Sequence, residues 1–247
     1  LTNLANAVLL APNAQHLDKA RACLSDAWND WRLLVSSTNQ YVTEVSLARD
    51  VLGIQGKITD PETREVLDEG KQFRRFLFDQ PYSVDGSRVW PALRFGTTLN
   101  RESGIFSSLV CNDRIRTIEV KLVGEGLEGT TAEVRVLVDG SSKLRSCSAT
   151  PEEESLVPWN LRPEGSFAPA TVAAGINAYD TQSQPNQSLS YYAVAQDTWI
   201  LAIPDGSSAP ANRNLDPTRI DDIVLRITHE GVASGSATAS FAPTCNL

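Results

Sequence analysis

Two periodicities divide the chain. From Asn13 to about Ser36 apolar side chains recur at three- and four-residue steps: Leu17, Ala20, Leu24, Ala27, Trp28, Trp31 and Leu34. That spacing predicts an amphipathic helix, with Asn13 as N-cap behind Pro12. Ser36 to Asn39 marks a break. Val42, Val45, Leu47 and Val51 predict a second helical stretch from about Asn39 to Leu52, ended by Gly53 and Gly56. Thr59-Asp60-Pro61 predicts the cap of a short helix, Glu62 to Glu69, stopped by Gly70. Extended structure is expected to begin at Phe73, Phe76 and Phe78.

Beyond that point alternation replaces helical spacing, and Gly, Pro, Ser and Asn punctuate the chain. Arg114–Val123 puts Ile118, Val120 and Leu122 on one face. Ala132–Val138 puts Val134, Val136 and Val138 inward, and a long loop with Gly124, Gly126 and Gly129 suggests that the two strands form a hairpin. Pro163 to Ser190 is weakly patterned and reads as loops with one or two short strands. Thr198–Pro204 alternates Trp199, Leu201 and Ile203. Ile220–Thr228 carries Ile223, Leu225 and Ile227 on one face. The expected fold is mostly β: an antiparallel, jelly-roll-like β-sandwich over residues 57–247, behind an N-terminal α-helical arm over residues 1–56. The Trp28/Trp31 stripe is too apolar for a lone helix, so the arm is expected to pack on the sandwich, an upstream region or another copy.

Composition narrows the function. The chain has 247 residues, 41% hydrophobic, with a formal net charge of −8. An acidic chain with scattered Lys and Arg repels phosphate backbones, which argues against nucleic-acid binding. No apolar run approaches the roughly 20 residues of a membrane helix. The absence of Met suggests a processed chain or a piece of something longer, so any membrane contact would come through missing upstream regions.

Four cysteines occur, Cys23, Cys111, Cys147 and Cys245, and none has the pair spacing of a zinc site. Cys111 and Cys147 bracket the expected hairpin and would lie roughly opposite each other, either as a disulfide or as two free thiols. Cys23 and Cys245 have no evident partner.

Catalytic constellations are hard to find. The two histidines are His16, on the arm, and His229, read as a solvated strand-end residue. Asp68-Glu69 and Asp221-Asp222 are paired carboxylates, but adjacent strand residues point to opposite faces. The glycine-rich turn Gly124 to Gly129 lacks the Lys-Ser/Thr of a phosphate loop. No metal or other cofactor is expected. Asp205, Asn212, Asn214 and Asp216 sit in a loop that could gather oxygens around calcium, although a solvated polar loop is the simpler reading. Asn186-Gln187-Ser188 is a glycosylation sequon. Exposed aromatics for sugar stacking would come from Trp90, Trp159, Tyr179, Tyr191 or Tyr192, with Trp159 the leading candidate. Loops carry function on such scaffolds, so Asp205 to Asp216 and Gly124 to Thr131 are the first places to look.

The order of segments resembles the C-terminal region of the A component of bacterial Tc toxins. Tyr41-Val42-Thr43-Glu44-Val45-Ser46-Leu47 is similar to the stretch preceding that family's sandwich. Asp60-Pro61, Leu67-Asp68-Glu69-Gly70, Phe73, Phe76-Leu77-Phe78-Asp79 and Tyr82 resemble its lead-in to the first strand. Arg114 to Val120, Trp199 to Pro204 and Ile220 to Ile227 resemble later strands. The resemblance runs from Tyr41 to Thr228. Ser83 to Arg101 departs from it as a longer insertion, and the cysteines match no family pattern. The resemblance implies a secreted, non-enzymatic interaction domain. Its partner would be the cocoon-type β-propeller component that carries the toxic enzyme, and it would self-associate as a pentamer in the full-length protein. A carbohydrate-binding jelly-roll module is the alternative.

Overall fold

The computed structural model describes residues 38–97, 105–107, 110–127, 131–147, 156–163 and 165–233, with Ser25 and Gly129 as isolated residues. Apart from Ser25, the expected helix Asn13–Ser36 with its Trp28/Trp31 stripe, together with His16, Cys23 and Cys245, lies outside the described residues.

The second expected helix is a strand. β1 (Asn39–Ser46) pairs antiparallel with β13 (Asp222–Ala233), from Asn39↔Gly231 to Ser46↔Val224. Tyr41, Val42, Thr43 and Val45 are aromatic or β-branched. Such side chains lose rotamer freedom in a helix and suit a pleated surface, so the long-range partner decides. Helical geometry appears only afterwards, as a π-helical turn Leu47–Val51. The Ser46 hydroxyl caps it, accepting from the Arg49 N–H at 3.0 Å. Val45, Leu47 and Ile54 enter the main core, so residues 39–56 belong with the sheet and not with an arm.

The next expectation is displaced by one element. Residues 60–65 form a turn between β2 (Ile58–Thr59) and β3 (Val66–Leu67), not a helix. The Asp60 carboxylate holds the turn by accepting from the N–H groups of Glu62 and Thr63, both at 2.8 Å, and it pairs with Arg75. The Thr63 N–H and the Arg75 guanidinium hold this carboxyl well below the ordinary range. The helix is α1 (Glu69–Asp79), over the residues expected to be extended. Phe73 and Leu77, four apart, are buried on one face, while Phe76 and Phe78 are exposed. Asp68 is its N-cap, accepting from the Lys71 N–H at 2.8 Å. Asp68→Ala should cost about 1 kcal/mol, measurable as a lower urea midpoint with an unchanged slope. An unshifted midpoint would mean that α1 is held by its core contacts alone.

The remaining strands are β4 (Tyr82–Ser83), β5 (Val89–Trp90), β6 (Ala92–Thr97), β7 (Val110–Val123), β8 (Thr131–Asp139), β9 (Ser142–Arg145), β10 (Leu156–Pro158), β11 (Phe167–Ile176) and β12 (Ala195–Ala202). Among the described residues nine strands make one sheet in the order β1-β13-β7-β11-β8-β12-β9-β10, with β6 also beside β12. The chain is therefore mostly β, but the sheet is mixed and not wholly antiparallel: β11 runs parallel to β7.

β11 also corrects the expected hairpin. It lies between β7 and β8, pairing with β8 from Phe167↔Asp139 to Gly175↔Thr131. Its pattern is weak because its inward residues, Val172 apart, are small. Ala168 and Ala170 face Val138 and Val136, so the volume comes from the neighbour. Gly175, next to the strand's last residue, stands where a Cβ would be 1.9 Å from the Ala178 carbonyl oxygen.

Inward residues from β1 through β12 in the strand order share a single core, so this part of the sheet curls around it. Ile223, Leu225, Ile227, Ile118, Val120, Leu122, Val134, Val136, Val138, Trp199 and Leu201 are all in it, on the faces expected from alternation. Trp199 stacks on Phe95 with centroids 5.9 Å apart and donates its indole N–H to the Thr97 hydroxyl at 2.8 Å. A smaller cluster of Trp90, Ala92, Leu137, Ile200 and Ala202 packs separately from this core. A disulfide joins Cys111 on β7 to Cys147 just after β9, with Cα atoms 5.1 Å apart.

Candidate functional site

The loop between β12 and β13 does not gather its oxygens. Asp205 accepts from the N–H groups of Ser207 and Ser208 at 3.0 and 2.8 Å, and Asp216 accepts from the Thr218 N–H at 3.0 Å. Asn212 is buried. Its amide bonds the Glu133 N–H and the Glu133 and Pro204 carbonyls at 2.7 to 2.8 Å, which fastens the loop to β8. Its side chain is used in holding the loop. Asn214 is exposed. No group of three or more His, Cys, Asp or Glu among the described residues is placed to hold a metal.

Trp159 follows β10 and is half-buried. Its indole N–H donates to the Tyr191 carbonyl at 3.0 Å, and the Arg114 guanidinium lies 4.2 Å from its ring centroid. Its polar edge and the ring face under Arg114 are therefore committed. Trp90 and Tyr192 are buried. Tyr179 is flanked by Arg226 at 3.6 Å and Lys121 at 4.9 Å, and burial pushes its hydroxyl well above the ordinary range. The sequon residue Asn186 donates its amide to the Thr171 carbonyl at 2.7 Å.

His229 is buried within β13, not a solvated strand end. Its Nδ1 stands 2.6 Å from Asp113 Oδ1 on β7 and its Nε2 2.9 Å from Thr43 Oγ1 on β1. Tyr41 stacks on the ring at 5.6 Å and Phe106 meets it edge-on at 5.4 Å. Burial pushes the Asp113 carboxyl up, and His229 opposes that shift. Carboxylate, imidazole and hydroxyl in series are the parts of a nucleophilic relay. None of the three lines either concavity described below, and the series bonds three adjacent strands together. The sequence signal that was missed is the alternation itself: His229 continues the inward set Ile223, Leu225, Ile227.

The larger concavity is a basin of about 920 Å³ between the π-helical turn, the start of α1 and the segment leading into β13. It brings together both carboxylate pairs noted in the sequence. Each member has a partner. Asp68 caps α1, Glu69 accepts from the Gly56 N–H at 2.8 Å, and Asp221 pairs with Arg74. Asp222 accepts from the Ser46 hydroxyl at 2.7 Å and the Ala48 N–H at 2.9 Å, and burial pushes its carboxyl up.

The second concavity is a groove of about 450 Å³ across β1, β13 and β7, lined by Gln40, Arg116, Thr117, Gln187, Ser190, Tyr191 and Glu230. Arg116 Nε bonds Glu230 at 2.6 Å, and the guanidinium lies 5.3 Å from the Tyr191 ring centroid. Arg114 over Trp159 continues the row. Half-buried Arg and Trp in contact with an exposed Tyr are the residue types that dominate binding energy at interfaces. Sequence reading named Tyr191 only as an available aromatic. Its neighbours come from β1, β7 and β13, which the chain separates widely.

This mixed, curled β domain can be set beside known proteins. No family model and no curated protein matches the chain. Among solved structures it is similar to Yersinia pseudotuberculosis TcaA-TcaB, at 13% identity and TM-score 0.43, over 89% of this chain and 11% of that one. It is also similar to Morganella morganii TcdA4, at 16% identity and TM-score 0.43, over 88% of this chain and 8% of that one. The chain thus spans a small fraction of the length of either.

Proposed function

We propose that this chain is a non-enzymatic protein-interaction domain of a Tc-toxin-like A component, which docks the cocoon-type β-propeller component carrying the toxic enzyme. The observation that carries the reading is the ordered set of resembling segments. They fall on β1, on the β2-to-α1 lead-in, and on β7, β12 and β13. β1, β13 and β7 are neighbours in the sheet, so three of the resembling segments lie side by side. The Cys111–Cys147 disulfide suits an oxidising, extracellular setting. No helix among the described residues is long and apolar enough to cross a membrane. In the full-length protein five copies would present a composite docking surface.

The test is a pull-down of this chain against the cocoon-type protein encoded beside it, with the mass of the complex taken by light scattering. Binding is expected, with more than one copy of this chain per partner. A monomer that captures nothing, even when fused to the preceding segment of its own protein, removes the docking reading.

A further inference from the structure

The groove on β1, β13 and β7 lies where the backbone leaves regular sheet geometry. Between Thr228↔Thr117 and His229↔Ile115, β7 carries one residue more than β13, and the extra residue is Arg116. A bulge of this kind re-aims a side chain. Between Glu230↔Arg114 and Val232↔Cys111, β7 again has one residue more, and Asn112 there has φ 52°. Glu230 sits between the two irregularities. On the opposite wall Tyr191 has φ 70° while its side chain stays half exposed. An aromatic residue rarely adopts that conformation, and outliers of this type cluster at ligand sites. Its surroundings hold it there. The Tyr191 N–H donates to the Ile115 carbonyl at 2.8 Å, and its carbonyl accepts the Trp159 indole N–H. Three separate distortions therefore bring Arg116, Glu230 and Tyr191 to one place.

The chemistry of that place is specific. Its one guanidinium and one carboxylate cancel, so neither an anion nor a cation gains net attraction. Arg116 bonds Glu230 through Nε and approaches the Tyr191 hydroxyl with Nη1 at 3.3 Å, which leaves further N–H groups for a ligand. The Gln40 and Gln187 amides and the Thr117 hydroxyl both donate and accept. A volume of about 450 Å³ is within the range of small-ligand sites. An aromatic platform beside planar groups that donate and accept suits a neutral ring carrying several hydroxyls: its C–H face lies on the aromatic ring while its hydroxyls take the polar groups in pairs.

We propose that this groove binds a neutral mono- or disaccharide, with the Tyr191 ring face not covered by Arg116 as the stacking platform and the Arg116–Glu230 pair fixing the hydroxyls. The Trp159 indole N–H holds the Tyr191 backbone through its carbonyl. The site does not depend on the docking function and is tested apart from it.

Saturation-transfer NMR on the whole chain, with glucose, galactose, mannose, N-acetylglucosamine, lactose and cellobiose as probes, is the first experiment. Calorimetric titration of those that respond follows. At least one sugar should show transfer. Tyr191→Asn should keep the fold, because Asn accepts positive φ more readily than Tyr. Its melting temperature should be unchanged or higher, while affinity falls about tenfold, the equivalent of one stacking contact. Tyr191→Phe should bind nearly as well as the parent. Silence from all six sugars overturns the proposal, as does transfer that persists in a folded Tyr191→Asn variant. So does competition for the groove by a partner-protein peptide when no sugar binds.

Discussion

Replacing Cys111 and Cys147 together by Ser should lower unfolding free energy by about 4 kcal/mol, the chain-entropy value for a loop between the roughly 15- and 100-residue reference cases. The two cysteines are 36 positions apart, and the loop they close contains all of β8 and β9 and most of β7. Opening it lets the unfolded chain expand and so favours the unfolded state. The bond also joins β7 to the segment after β9, two strands that are not adjacent in the sheet order. Urea unfolding of the parent with and without reductant, beside the double Ser variant, checks this. Reduced parent and variant should unfold at nearly the same, lower urea concentration. A variant as resistant as the oxidised parent would show that strand pairing alone fixes this end of the sheet.

How much of this could be read from the sequence depended on where the determining contact lay. β7, β8, β12 and β13 were legible because each alternates large apolar residues on one face, and burial follows that alternation. β11 was not, because its inward Ala168, Ala170 and Ala174 are small and rely on valines of other strands for volume. The helix–strand exchanges at β1 and α1 have opposite causes. Val42, Val45, Leu47 and Val51 have spacing compatible with a helix, yet the pairing of Tyr41 to Ser46 with β13 prevails. Glu69–Asp79 looks extended if one follows the alternating Phe76 and Phe78, but the residues that bury are Phe73 and Leu77, one helical turn apart. The loop chosen for binding was polar, as read, but its Asn212 serves the fold. The groove was the least legible feature. Its residues come from β1, β7, β13 and the turn after Asn186, and the irregularities that assemble it exist only once those strands pair.

His229→Ala should be as damaging as loss of the disulfide, at about 3–5 kcal/mol, the range for leaving a buried charge without its partner. The substitution removes the ring between Tyr41 and Phe106 and leaves the buried Asp113 carboxylate without the imidazole. Asp113→Asn should cost less, because an amide oxygen can still accept from Nδ1 and no charge is buried. The same pair makes a pH prediction whose sign is fixed. Burial raises the Asp113 carboxyl in the folded state above its unfolded value near about 4. The folded chain then holds that proton more tightly than the unfolded one, so Asp113 favours folding below the unfolded value. That benefit is lost as pH rises through the window up to the raised folded value. Asp222 acts in the same direction, while Asp50, Asp205 and Asp216, whose carboxyls are held low, act in the opposite one. The contribution of Asp113 is therefore isolated by subtracting the stability of Asp113→Asn from that of the parent at each pH. The difference should shift against the parent as pH rises from about 4, read from urea midpoints in matched buffers. A flat difference would mean that His229 fully offsets the cost of burying the carboxylate, and that these three strands are held together without electrostatic strain.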